Sequence, residues 1–149
     1  MSKGNLLIVD DEPFILKTLK FSLGDLADNI FTAENGKEAL VVIEQNKVHC
    51  IVCDINMPIM NGVDVIKKLR EMNNDVPFIF YTGHGNNQLM LEAVKYGAFD
   101  FLNKPELDGI EEVVTNGLLA GTKKPSDQKQ GAQDFISEYQ KLLKLLNEQ

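Results

Sequence analysis

Five side chains of this sequence could carry chemistry together: Asp10 and Asp11, Asp54, Thr82 and Lys104. Three carboxylates gathered in one place repel one another. At an effective dielectric near 20, two like charges ~4 Å apart cost about 4 kcal/mol. A hard divalent cation relieves that cost. Mg²⁺ suits a site with few carboxylates, because it takes oxygen ligands and keeps several waters. Such an ion also neutralises charge on a transferring phosphoryl group. A carboxylate such as Asp54 can attack phosphorus and form an acyl phosphate. Lys104 would offer a compact positive charge to one phosphoryl oxygen, and Thr82 a hydroxyl donor to another.

Aspartates are also common after strands as turn and cap residues, so any one of these positions alone reads as structural. Their joint placement carries the functional reading. Asp10-Asp11 follow the apolar run Leu6-Leu7-Ile8-Val9, and Asp54 ends Cys50-Ile51-Val52-Cys53-Asp54. Thr82 ends Pro77-Phe78-Ile79-Phe80-Tyr81, and Lys104 lies just past Ala98-Phe99-Asp100-Phe101-Leu102. With Ile30-Phe31-Thr32-Ala33 these runs make five short strands. Between them lie helical patterns over 13–23, 37–45, 63–72, 89–96 and 106–119, the last interrupted by Gly117.

Strands alternating with helices imply an α/β fold, a doubly wound parallel sheet with helices on both faces. Ligands in such sheets bind beyond the carboxyl ends of the strands, where all five residues fall. The alternation alone does not fix the strand order; 2-1-3-4-5 is one of two common ones.

The chain has 149 residues, 44% hydrophobic and 25% charged, which suits a single globular domain. Residues 1–120 hold 18 acidic against 10 basic side chains. Residues 121–149 hold 4 against 5, too weak a positive excess for a nucleic-acid arm. The formal charge of -7 gives no general attraction for nucleic acid or an anionic membrane. Neither a signal peptide nor a membrane span is expected, which points to the cytoplasm. Cys50 and Cys53 are spaced like a redox or zinc pair, but side chains three apart on a strand face opposite ways. With only His49 and His84 as further ligands, they read as buried small hydrophobes.

Residues 121–132 read as a polar linker. Over 133–149, Phe135, Tyr139, Leu142 and Leu146, widened by Ile136 and Leu143, make an amphipathic C-terminal helix. That helix is too short to stand alone. It could pack on its own domain, pair with another copy in a homodimer, or begin a linker helix.

Four segments give the sequence a strong resemblance to the receiver domains of two-component response regulators. They are Asp10-Asp11-Glu12-Pro13; Asp54-Ile55-Asn56-Met57-Pro58 with Gly62; Thr82-Gly83-His84-Gly85; and Gly97 through Pro105. The likeness covers about residues 4–120. It is greatest to receivers of nitrogen-regulation-type and nodulation-regulation-type transcription factors. It implies a flavodoxin-like sheet of order 2-1-3-4-5 and a catalytic set of Asp54, Thr82 and Lys104, with Asp54 as phosphoacceptor. Asp11 is then expected to bind Mg²⁺ (Mn²⁺ as substitute) directly and Asp10 through water, with Asp54 and the Asn56 backbone carbonyl completing the set. Thr82 and Phe101 match the switch pair, and Pro105 is expected after a cis bond. Asn56 and His84 stand where the aspartyl-phosphate lifetime is tuned, and Asn86 departs from an acidic residue common at its position.

The expected partners are a sensor histidine kinase or histidine phosphotransfer protein, and an unnamed downstream protein. No direct contact with nucleic acid or membrane is expected. Residues 121–149 are too few for a helix-turn-helix domain with a linker. Output is therefore expected through a partner, through a relay, or in a longer protein. Two rivals differ in kind. One is an adaptor indifferent to phosphorylation. The other is a freestanding phosphatase, disfavoured because Asp54-Ile55-Asn56 lacks a second acid to protonate a leaving group.

Overall fold

The computed structural model describes residues 2–83, 87–105, 107–123 and 141–146. Five strands form one parallel sheet: β1 Asn5–Val9, β2 Asn29–Ala33, β3 Cys50–Cys53, β4 Phe78–Thr82 and β5 Asp100–Asn103. Their order is β2-β1-β3-β4-β5, the doubly wound order the resemblance implies. Among the described residues, the α-helices that connect the strands or directly follow β5 are α1 Pro13–Leu23, α2 Gly36–Gln45, α3 Gly62–Glu71, α4 Asn87–Lys95 and α5 Ile110–Thr122.

The continuous apolar runs are strands covered on both faces. Leu6, Leu7, Ile8 and Val9 are all buried, as are all of β3 and β4. Alternation along β1 sends Leu7 and Val9 into one packed layer with residues of α2, α3 and α4, and Leu6 and Ile8 into another with residues of α1 and α5. Cys50 and Cys53 divide the same way, one to each layer, and both are free and buried. Burial pushes the Cys50 thiol up to about 12 and the Cys53 thiol well above its ordinary value. Neither is a ready thiolate for redox or metal chemistry.

Local chemistry sets the helix starts. Pro13 opens α1, where its missing N–H costs nothing. The Asn35 side chain accepts the Glu38 N–H at 2.8 Å and caps α2. Asn61 and Asp64 form a reciprocal capping box at α3.

Most elements match expectation to within two residues, and the starts of β5 and α5 carry structural reasons. β5 begins at Asp100 rather than Ala98, so Phe99 lies outside the strand and packs on the α1–α5 side, while Phe101 packs on the other. α5 begins at Ile110 rather than 106, after Gly109 with φ of 83°, and runs to Thr122, two residues into the expected linker. Gly117 does not interrupt it. A Cβ there would lie 2.7 Å from Cys50 Sγ, so glycine lets the helix approach β3. Residues 141–146 are helical, within the expected C-terminal helix; the rest of 133–149 and residues 124–132 lie outside the described residues. Among the described residues no helix is long and apolar enough to cross a membrane.

Candidate phosphoacceptor site

The strand order reverses between β1 and β3, and the residues following these two strands stand side by side there. Val9 pairs with Cys53, which puts Asp10 level with Asp54 at the carboxyl edge. Backbone bonds hold both: Asp10 N–H donates to Ala33 O at 3.1 Å, and Asp54 N–H donates to Val9 O at 3.0 Å. On the other side, Thr82 pairs with Asn103, and Lys104 N–H donates to Thr82 O at 3.0 Å. The Lys104–Pro105 bond is cis, as the resemblance implies.

Among the described residues, Asp10, Asp54 and Thr82 are the buried polar or charged ones. The Lys104 ammonium joins the two carboxylates. Its Nζ lies 2.5 Å from Asp10 Oδ2 and 3.0 Å from Asp54 Oδ2, with the exposed Glu12 carboxylate 4.0 Å away. Burial raises the Asp10 carboxyl above its ordinary range, although hydrogen bonds from Lys104 and from the Glu12 N–H pull the other way. Burial alone would lower the Lys104 pKa. Hydrogen bonds to Asp10 and Asp54, with their negative charge, outweigh it and hold the ammonium above its ordinary value.

Asp10, Asp11 and Glu12 each offer a carboxylate oxygen within 4.8 Å of the others. This oxygen-only donor set suits a hard cation. The Thr82 hydroxyl is buried with no hydrogen-bond partner among the described residues. A buried unpaired hydroxyl costs about 1–3 kcal/mol, so one that persists beside Lys104 invites a polar ligand. An added acceptor such as a phosphoryl oxygen would satisfy it.

The loop after β3 is tightly folded against Asp54. Gly62 N–H donates to Ile55 O at 2.9 Å, and a Cβ at Gly62 would collide with the Asp54 carbonyl. Asn56 is exposed two residues past Asp54. Phe101 is half-buried, its ring stacked on Phe80 with centroids 5.5 Å apart. His84 and Asn86 lie outside the described residues.

The fold thus brings Asp10, Asp11, Asp54 and Lys104 to one edge, with Thr82 beside Lys104 in the backbone register. Two neighbours were not anticipated from the sequence. Glu12 extends the acidic run, and its place as the third consecutive acid was the available signal. Tyr81 underlies Lys104, its ring centroid 5.8 Å from Nζ. Nothing in its spacing marks that contact.

The chain belongs to the response regulator receiver domain family, which matches residues 6–115. It is therefore a phosphoacceptor domain of two-component signalling, a family whose members bind Mg²⁺ in an acidic pocket and interact with histidine kinases or other phosphodonors. The transcriptional regulatory protein GlrR of Escherichia coli K12 is 28% identical over 146 residues, covering 97% of this chain and 32% of GlrR. The transcriptional regulatory protein FixJ of Bradyrhizobium diazoefficiens is 26% identical over 136 residues, covering 91% of this chain and 66% of FixJ. The chain thus spans about a third of one relative and less than two thirds of the other. Among solved structures, the response regulator TrrA of Thermotoga maritima, in complex with Mg²⁺–BeF, is 30% identical with a TM-score of 0.68. That match covers 76% of this chain and 98% of TrrA.

Proposed function

We propose that Asp54 is the phosphoacceptor, and that the donor is a phosphohistidine on a sensor histidine kinase or histidine phosphotransfer protein. In the transfer, an Asp54 carboxylate oxygen forms a bond to phosphorus as the phosphorus–nitrogen bond of the donor breaks. Water later cleaves the acyl phosphate and restores the carboxylate. Asp10, Asp11, Asp54 and the Asn56 backbone carbonyl are the residues that would hold Mg²⁺, with Mn²⁺ as substitute. When bound, the ion neutralises charge on the carboxylates and the phosphoryl oxygens. Lys104 binds one phosphoryl oxygen and Thr82 donates its hydroxyl to another, which completes its hydrogen bonding. Drawing Thr82 toward the phosphoryl group leaves room for Phe101 to turn inward. This shifts the population of the α4–β5–α5 surface read by a downstream protein. Pro105 fixes the chain beside Lys104, and His84 bears on the lifetime of the acyl phosphate.

In this reading residues 1–120 are the receiver, 121–132 a linker and 133–149 a terminal helix, and the protein acts in the cytoplasm. The observation that carries it is the Lys104 ammonium shared between Asp10 and Asp54 at the point where the strand order reverses. The Mg²⁺–BeF held by TrrA supports the same chemistry here. Incubation with Mg²⁺ and a radiolabelled acyl phosphate tests it. Wild-type protein should take up label that is lost in alkali, and Asp54→Asn should take up none. Undiminished labelling of Asp54→Asn would remove Asp54 from its role.

A further inference from the structure

Tyr81 is 3% exposed and stands on β4 one residue before Thr82. Consecutive strand residues face opposite ways, and Tyr81 packs into the layer shared with α1 and α5. Lys104 crosses the sheet edge above it, with Nζ 5.8 Å from the ring centroid, inside the range of a cation–π contact.

Among the described residues, the charged groups that pair with the ammonium are Asp10, Asp54 and the more distant Glu12. Asp10 and Asp54 are the carboxylates the proposed reaction engages. Once they hold a cation or a phosphoryl group, their pull on Lys104 changes. The quadrupole of the Tyr81 ring does not. An aliphatic side chain of similar size would fill the same space without attracting the charge.

We propose that Tyr81 is a positioning residue for the reaction, its ring face holding the Lys104 ammonium at the phosphoacceptor pocket while the carboxylates change partners. This rests on the assignment of Asp54 and Lys104 above. The hydroxyl takes no part, since the attraction comes from the ring face, so phenylalanine serves as well.

Rates of labelling by acetyl phosphate with Mg²⁺ test the proposal, using Tyr81→Leu, Tyr81→Met and Tyr81→Phe, each alone and combined with Lys104→Met. The two aliphatic variants also keep the test open should one of them fail to fold. An aliphatic residue should slow labelling about threefold, the size expected of one such contact. Tyr81→Phe should restore the wild-type rate. In the Lys104→Met background the residue at 81 should make no difference. A second readout needs no metal: the Lys104 side-chain methylene resonances should shift in the aliphatic variants and stay in place in Tyr81→Phe. Equal rates for the aliphatic and Phe variants, or the same threefold loss without Lys104, would overturn the positioning role alone. A wild-type chain that takes no label would instead remove the phosphoacceptor assignment, and this role with it.

Discussion

Lys104 Nζ lies 2.5 Å from Asp10 Oδ2, so a protein ammonium sits among the carboxylates proposed to receive a metal ion. Two cations near one anion repel, so the lysine and the metal compete for Asp10. Lys104→Met should therefore bind Mg²⁺ more tightly, about three- to tenfold, as one competing charge is removed from a partly solvated site. The same variant should lose about 1–2 kcal/mol of stability without metal, because two carboxylates are left facing each other. Mg²⁺ titration by isothermal calorimetry and urea unfolding with and without Mg²⁺ measure both. Weaker metal binding in Lys104→Met would refute the competition.

The shifts of Asp10 and Lys104 set opposite trends in pH. The Lys104 pKa is raised on folding, so its stabilising contribution is fully present below its ordinary value of 10.5 and is lost as pH rises through the folded value. The Asp10 pKa is also raised, so the folded state holds more protons there than the unfolded one. Its contribution to stability therefore grows as pH falls from the folded value toward the ordinary 3.8, against the usual behaviour of a carboxylate. Urea midpoints across pH should show Asp10→Asn removing the acidic trend and Lys104→Met the alkaline one. Identical profiles for wild type and both variants would refute these assignments.

Among the described residues the buried Thr82 hydroxyl has no hydrogen-bond partner. Thr82→Val keeps the shape and removes the unmet donor. It should raise stability by about 1 kcal/mol while weakening beryllofluoride binding in the presence of Mg²⁺. Opposite signs in the two measurements are the signature of a hydroxyl kept for a ligand. A variant that is less stable and binds beryllofluoride as before would show the hydroxyl to be structural.

How much could be read without coordinates depended on the kind of signal. Leu6–Val9 and Cys50–Cys53 are continuous apolar runs, and both proved to be strands covered on both faces. The acids that follow them were therefore placed correctly by the parallel topology alone. β5 was harder, because Ala98 and Phe99 are as apolar as the strand itself. Only the left-handed Gly97 and the position of Phe99 on the α1–α5 side reveal that the strand starts later. The sharing of Lys104 between Asp10 and Asp54 could not be read at all. It depends on where a long flexible side chain settles, and composition carries no record of that. The Tyr81 contact was hidden for the same reason. Gly117 misled in a different way. Helix propensity marks it as a weak point, whereas its lack of a side chain is what admits α5 to the sheet.

That last reversal can be tested. In an open helix Gly→Ala stabilises by about 1 kcal/mol. At position 117 the new methyl would sit 2.7 Å from Cys50 Sγ and 3.2 Å from Ile79 Cδ1, both on fully buried residues. Neither can move into solvent, and crowding of this kind typically costs 1–3 kcal/mol. Gly117→Ala should therefore lower stability by about 1–2 kcal/mol once its helix gain is deducted. Cys50→Ala removes the nearer obstacle. In that background the same substitution should become neutral or stabilising, because the methyl partly fills the space the sulfur leaves. Urea unfolding of the wild type, both single variants and the double variant closes the cycle. If the two changes simply add, α5 does not approach β3 as closely as these distances require.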